Sequence, residues 1–112
     1  MTEPPKAHEE ALDEFVEKTE RGSIPALRQL IVFGSVARGT HATNSDIDIL
    51  AVLEADADII DVEEQLRDIA YDVMLEYGTV FSIHGITETA FNNRSGHPFF
   101  KRVSMEGRAI YG

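Results

Sequence analysis

The sequence predicts a small α/β fold in which one mixed β-sheet is backed by helices. Two apolar runs, residues 30–33 and 49–53, are typical of strands covered on both faces. Between 59 and 77, apolar side chains recur every three or four positions, as an amphipathic helix requires. The chain has 112 residues, 43 % of them hydrophobic, and no cysteine. It can therefore bury one core without disulfides.

The first half of the chain is predicted to contain a tail, a helix and two strands. Residues 1–7 show no periodicity and are expected to be a flexible tail, so that 8–112 form a single domain. Apolar positions three and four apart, with charges between them, predict a helix over 8–19. The apolar runs then place strands over 26–33 and 46–53, and the second strand begins with carboxylates.

The second half is predicted to alternate helices with strands. The periodic helix over 59–77 carries its acids outward and is followed by Gly78, the residue favoured just beyond a helix end. Gly107 follows the last predicted helix in the same way. After Gly78 the pattern predicts a strand over 79–87, a short helical turn over 88–93, a helix over 98–106 and a short edge strand over 109–111.

The charge of the chain excludes several classes of function. A formal net charge of −10 makes free DNA or RNA a poor ligand. Seven acids fall in residues 1–20 and nine in 54–76, which is compatible with two solvated helices or with a salt-adapted archaeal protein. The four histidines lack zinc-ligand spacing. Neither a signal peptide nor an apolar run of membrane-spanning length is present, so a cytoplasmic location is predicted.

Chemically informative residues surround the junction of the first two strands. Asp46 and Asp48 lie two residues apart on a strand and therefore share a face, where their charges repel unless a cation lies between them. Oxygen ligands of this kind suit Mg²⁺. Gly34 permits close backbone approach, and Ser35 offers a hydroxyl and an N–H to a phosphate oxygen. The pattern predicts a site for a metal-bound phosphate.

This stretch resembles the polymerase-beta-like nucleotidyltransferase superfamily, and in particular its minimal nucleotidyltransferase (MNT) domains. Gly34-Ser35 followed after ten residues by Asp46-x-Asp48 looks like the signature of that family, with Arg38 and Ser45 at positions its members often fill. The firm likeness covers residues 26–53. The resemblance implies transfer of a nucleoside monophosphate from ATP to an acceptor hydroxyl, through one or two Mg²⁺ ions held by carboxylates. It assigns Gly34, Ser35, Arg38 and Ser45 to the nucleotide and both aspartates to the metal.

Each residue also has a structural interpretation. Ser35 and Ser45 are residue types that cap a helix or orient a strand without any ligand. Arg38 fits a solvated helix residue equally well, and Asp46 with Asp48 fits a capping residue followed by a solvated strand end. The combined spacing, rather than any single residue, favours the catalytic interpretation.

The sequence departs from the family at its third carboxylate. That acid normally lies on the strand after the long helix, but residues 79–87 contain none. Val80, Ser82 and His84 share one face of this strand, so Ser82 or His84 takes the position of the missing acid. A satisfied sheet histidine is the alternative interpretation of His84. The departure predicts a slow transfer step with nucleotide binding retained.

Two hypotheses follow from the resemblance. In the first, the chain is an enzyme and the antitoxin of a toxin–antitoxin pair. Its partner is an all-helical HEPN toxin whose tyrosine hydroxyl accepts AMP. In the second, the chain is a non-catalytic binding module that keeps the fold and neutralises the toxin by contact. Oligomeric state and base preference are not predicted by the sequence.

Overall fold

The computed structural model describes residues 6–34, 46–94 and 96–111. In this part of the chain no helix is long and apolar enough to cross a membrane. The elements follow one another as α1 (Lys6–Gly22), β1 (Leu27–Phe33), β2 (Ile47–Leu53), α2 (Ile59–Tyr77), β3 (Phe81–Thr87), α3 (Glu88–Asn93), α4 (Pro98–Glu106) and β4 (Arg108–Tyr111).

The four strands of these residues form one mixed sheet in the order β3-β2-β1-β4. β1 is antiparallel to both β2 and β4, whereas β2 and β3 run parallel. The predicted mixed sheet backed by helices is confirmed. Parallel pairing of β2 with β3 requires a crossover, and α2 supplies it.

Helices cover both faces of the sheet, which explains the continuous apolar runs of its central strands. In β2, Ile47 and Ile49 point into a core shared with α1 and α2, whereas Leu50 and Val52 point into a second core with α3 and α4. Side chains alternate between the faces of a strand, so Asp48 lies on the same side as Leu50. The site residues therefore belong to the α3–α4 side of the sheet.

Several element boundaries differ from the sequence prediction by one to three residues. The largest difference is in α1, which begins at Lys6, two residues before the predicted start, and ends at Gly22, three residues after the predicted end. β3 begins at Phe81 rather than Thr79, since Gly78 ends α2 in a left-handed conformation (φ 72°) and the next two residues form the connection. The Gly78 N–H donates to the carbonyl of Met74 at 2.7 Å, as expected for this type of helix end.

The outer edge of β3 is capped by two side chains of α2. The Gly85 N–H donates to Glu63 Oε2 at 2.6 Å, and Arg67 Nη2 donates to the Ile83 carbonyl at 3.2 Å. Glu63 and Arg67 also form an ion pair at 3.5 Å. A free strand edge exposes unpaired backbone groups that other chains can pair with. The helix therefore provides hydrogen-bond partners for two backbone groups of β3, the edge strand that carries Ser82 and His84.

Replacing Glu63 with Ala is expected to destabilise the protein by about 1–3 kcal/mol, because a partly buried backbone N–H loses a charged acceptor. Urea unfolding measures the change. The neighbouring Glu64 is exposed and forms no hydrogen bond or ion pair within the described residues, so Glu64→Ala is the matched control. We expect the control to stay within about 0.5 kcal/mol of the natural protein. Equal stabilities of the two variants would show that the edge contact contributes nothing.

Candidate active site

The structure brings the predicted carboxylates together with the residues of β3. Ser82 lies opposite Asp48 in the parallel register, and His84 lies opposite Leu50. The Ser82 hydroxyl donates to Asp46 Oδ2 at 3.4 Å. Both positions proposed for the missing third carboxylate thus border the aspartate pair, since β2 and β3 are neighbours along their whole length.

Asp48 is held in an environment that disfavours its charge. Burial raises the pKa of the Asp48 carboxyl, the nearby Asp46 carboxylate raises it further, and His84 lowers it. Like charges in a partly buried position repel strongly because solvent screens them poorly. A cation between the two carboxylates would remove this repulsion.

Gly34, at the end of β1, packs closely against the carboxylate of Asp48. Its φ is +77°, a conformation that non-glycine residues rarely adopt. A Cβ added here would lie 2.5 Å from Asp48 Oδ2, which is closer than van der Waals contact allows. The backbone conformation therefore favours glycine, and a side chain at this position would displace the Asp48 carboxylate.

A cavity of about 520 Å³ extends from Asp48 and His84 across the α3–α4 side of the sheet. Phe33 and Phe99 form part of its wall, with ring centroids 5.6 Å apart and planes nearly perpendicular. Phe99 is 41 % exposed despite being a large apolar residue. Arg94 also lines this cavity. Asp48 therefore faces a space large enough for a substrate group.

Sequence reasoning did not place Phe33, Arg94 or Phe99 at the site. A signal existed for Phe33, because it lies two residues after Ile31 and so continues the same face of β1. Arg94 and Phe99 reach the cavity from α3–α4, and no sequence period links those helices to the aspartates. Of the other predicted site residues, Ser35, Arg38 and Ser45 lie outside the described residues.

A carboxylate pair beside a glycine at a strand end is the arrangement expected from the signature in the sequence. The nucleotidyltransferase domain family matches residues 8–111. The chain belongs to the nucleotidyltransferase family. The match includes the aspartate pair, Gly34 and the residues of β3, so the site described above lies within this nucleotidyltransferase domain.

Known proteins agree with this assignment. A Methanocaldococcus jannaschii protein named "Putative protein adenylyltransferase" is 34 % identical over 103 residues, covering 92 % of this chain and 97 % of that protein. A crystal structure described as a toxin-antitoxin with AMP-PNP has a TM-score of 0.57 and 23 % identity, covering 88 % of this chain and 71 % of the other. A structure described as "a putative nucleotidyltransferase from Sulfolobus solfataricus" has a TM-score of 0.52 and 21 % identity, covering 83 % of this chain and 84 % of the other. The solved structures show the shared fold.

Two described residues of this nucleotidyltransferase, Asp46 and Asp48, have the chemistry to hold a divalent cation. Asp46 and Asp48 supply hard oxygen ligands that suffer mutual repulsion, and Mg²⁺ commonly takes one or two carboxylates with substrate phosphates. Within the described ranges no group of three His, Cys, Asp or Glu side chains could hold a metal ion. Ser82 offers only a neutral hydroxyl beside the pair.

Proposed function

We propose that this chain is a magnesium-dependent adenylyltransferase that moves AMP from ATP to a hydroxyl group of a partner protein. The observation that carries the proposal is the Asp46/Asp48 pair, of which Asp48 lies against Gly34 and lines the large cavity. The name of the 34 % identical archaeal relative supports adenylyl transfer to a protein.

The reaction requires one displacement at phosphorus. The acceptor oxygen attacks the α-phosphorus, the bond from that phosphorus to the bridging oxygen of the β-phosphate breaks, and pyrophosphate leaves. Asp46 and Asp48 would hold Mg²⁺ and thereby orient the phosphates, and the ion would supply positive charge for the oxygens on which charge develops. Gly34 leaves room for the Asp48 carboxylate beside the end of β1.

The acceptor proton needs a base, and His84 is our candidate. Ser82 cannot take the proton at neutral pH, because its hydroxyl is not ionised. His84 lines the cavity with Asp48, and histidine is the side chain that most often serves as a general base. The cavity on the His84 side of Asp48 would then receive the acceptor.

We propose a tyrosine of a HEPN-type toxin as the acceptor, with this chain as the antitoxin. The structural neighbour that holds AMP-PNP is itself a toxin-antitoxin. The described residues form one sheet with its helices and no separate unit for acceptor recognition. A partner surface would therefore supply much of the acceptor specificity.

The missing third carboxylate favours a second candidate, in which the fold neutralises the toxin by contact alone. Mass spectrometry of a HEPN-type protein incubated with this chain, ATP and Mg²⁺ separates the two. An added AMP on a tyrosine supports the enzyme. Stable complex formation with no added mass supports the contact antitoxin and overturns the enzyme. Asp48→Asn, tested in parallel, shows whether any added AMP comes from this site.

Replacing Ser82 with Asp is expected to raise the transfer rate by about tenfold or more, since it places a carboxylate opposite Asp48. The added charge should also lower the melting temperature in the absence of Mg²⁺, and Mg²⁺ should restore it. Label transferred from α-³²P ATP measures the rate. Ser104→Asp adds the same charge on the exposed surface of α4 and is the control. An unchanged rate in Ser82→Asp would show that position 82 is not where the third carboxylate of the family acts.

A further inference from the structure

Four arginines of the described residues form ion pairs on the surface of the protein. They are Arg21 with Glu17 at 2.8 Å, Arg28 with Glu54 at 3.5 Å, Arg67 with Glu63 at 3.5 Å and Arg108 with Glu9 at 3.4 Å. Arg94 and Arg102 are different, because neither forms an ion pair with any described residue. Both of them line cavities beside the candidate site.

Arg102 borders the Gly34 end of the site. It lines a cavity of about 160 Å³ together with Phe33, Gly34, Phe99 and Glu106. Phe33 and Phe99 also line the larger cavity, so the two spaces share a wall. Gly34 lies close to the Asp48 carboxylate and also lines the cavity that Arg102 lines. Arg102 and the Asp48 carboxylate therefore lie near the same residue at the end of β1.

The distribution of charge makes this position unusual. The acidic helices α1 and α2 pack on one face of the sheet, and α3 and α4 pack on the face that carries Asp48. Residues 94–102, which run from the end of α3 into α4, contain three bases (Arg94, Lys101 and Arg102) and no acid, in a chain whose net charge is −10. These three cations would favour a polyanionic substrate on this side of the sheet.

We propose that Arg102 is a triphosphate-binding residue of this site. The inference rests on the proposed nucleotide-binding function and extends it to a residue of α4. A guanidinium has a planar set of donors that matches two phosphate oxygens, and such charged hydrogen bonds are among the strongest in proteins. Arg102, which has no ion-pair partner among the described residues and shares a cavity with Gly34, is placed to contact the β- and γ-phosphates.

Arg102 is assigned to the triphosphate rather than to the acceptor because of the end of the site at which it lies. His84, the candidate base for the acceptor, lines the larger cavity with Arg94, whereas Arg102 lines the smaller one with Gly34. The acceptor hydroxyl must approach its base. The phosphates that leave as pyrophosphate must lie on the opposite side of the α-phosphorus, because attack and departure are in line.

Isothermal titration of the full chain with ATP and Mg²⁺ tests the inference. We expect Arg102→Gln to weaken ATP binding about tenfold, the loss of one strong charged contact. AMP lacks the β- and γ-phosphates, so its affinity should change less than about twofold. Arg102→Lys keeps the charge without the planar fork and should lie between the natural protein and Arg102→Gln.

Arg21→Gln is the matched control, because it removes the same charge from an exposed ion pair on α1. It should bind ATP as the natural protein does. Equal ATP affinities for Arg102→Gln and Arg21→Gln would overturn the role of Arg102 and leave the proposed function intact. Equal losses for ATP and AMP would also overturn it. No ATP binding by the natural protein would overturn both.

Discussion

Replacing Asp48 with Asn is expected to lower the rate of adenylyl transfer by roughly 10³-fold, while the apo protein becomes more stable to heat. The first effect follows because a held cation supplies several kcal/mol of transition-state stabilisation, and each 1.36 kcal/mol is about tenfold in rate. The second follows because burial and Asp46 both raise the pKa of the Asp48 carboxyl. A group that folding makes harder to ionise opposes folding once it is charged.

Two measurements check this pair of effects. Transfer of α-³²P from ATP reports the rate, and melting with and without Mg²⁺ reports stability. The natural protein should gain stability on adding Mg²⁺ with ATP, and Asp48→Asn should not. Asp72→Asn makes the same change on the exposed surface of α2 and should resemble the natural protein in both assays. If Asp48→Asn transferred AMP at the natural rate, the proposal that Asp48 holds the metal ion would be wrong.

The central strands and the long helix were predicted well from the sequence because their buried positions carry apolar residues at regular spacing. Ile47, Ile49, Leu50 and Val52 are apolar since both faces of β2 are covered, and the run is readable without knowing what covers it. α2 spans Ile59–Tyr77 as predicted, because its buried positions follow the helical period and Gly78 ends it. Local chemistry determined these elements.

The candidate site was less accessible to sequence reasoning. Alternation placed Ser82 and His84 on one face of a strand, but only the parallel register shows that Ser82 faces Asp48. That register depends on the path of α2 across the sheet. Arg102 shares a cavity with Gly34, 68 positions earlier in the chain, and no local pattern links residues so far apart. The roles of these residues stay predictions.

Gly34 offers the second large expected effect, because two different costs meet at this residue. Any other residue at φ +77° is strained by about 1–2 kcal/mol. The added Cβ would in addition lie 2.5 Å from Asp48 Oδ2 and would force the carboxylate away. Displacing a group that positions a substrate by about 1 Å can cost about 10²-fold in rate. We therefore expect Gly34→Ala to lose both stability and transfer.

Gly78→Ala separates the two costs. Gly78 has nearly the same conformation, with φ +72°, but a Cβ there would meet no atom within 4 Å. Both variants should be less stable in urea by similar amounts, about 1–2 kcal/mol, because both strain a left-handed residue. Only Gly34→Ala should reduce transfer of label from α-³²P ATP, measured under conditions where both variants are folded. If Gly34→Ala transferred AMP as fast as Gly78→Ala, the close packing of Gly34 against Asp48 would have no part in positioning the carboxylate for catalysis.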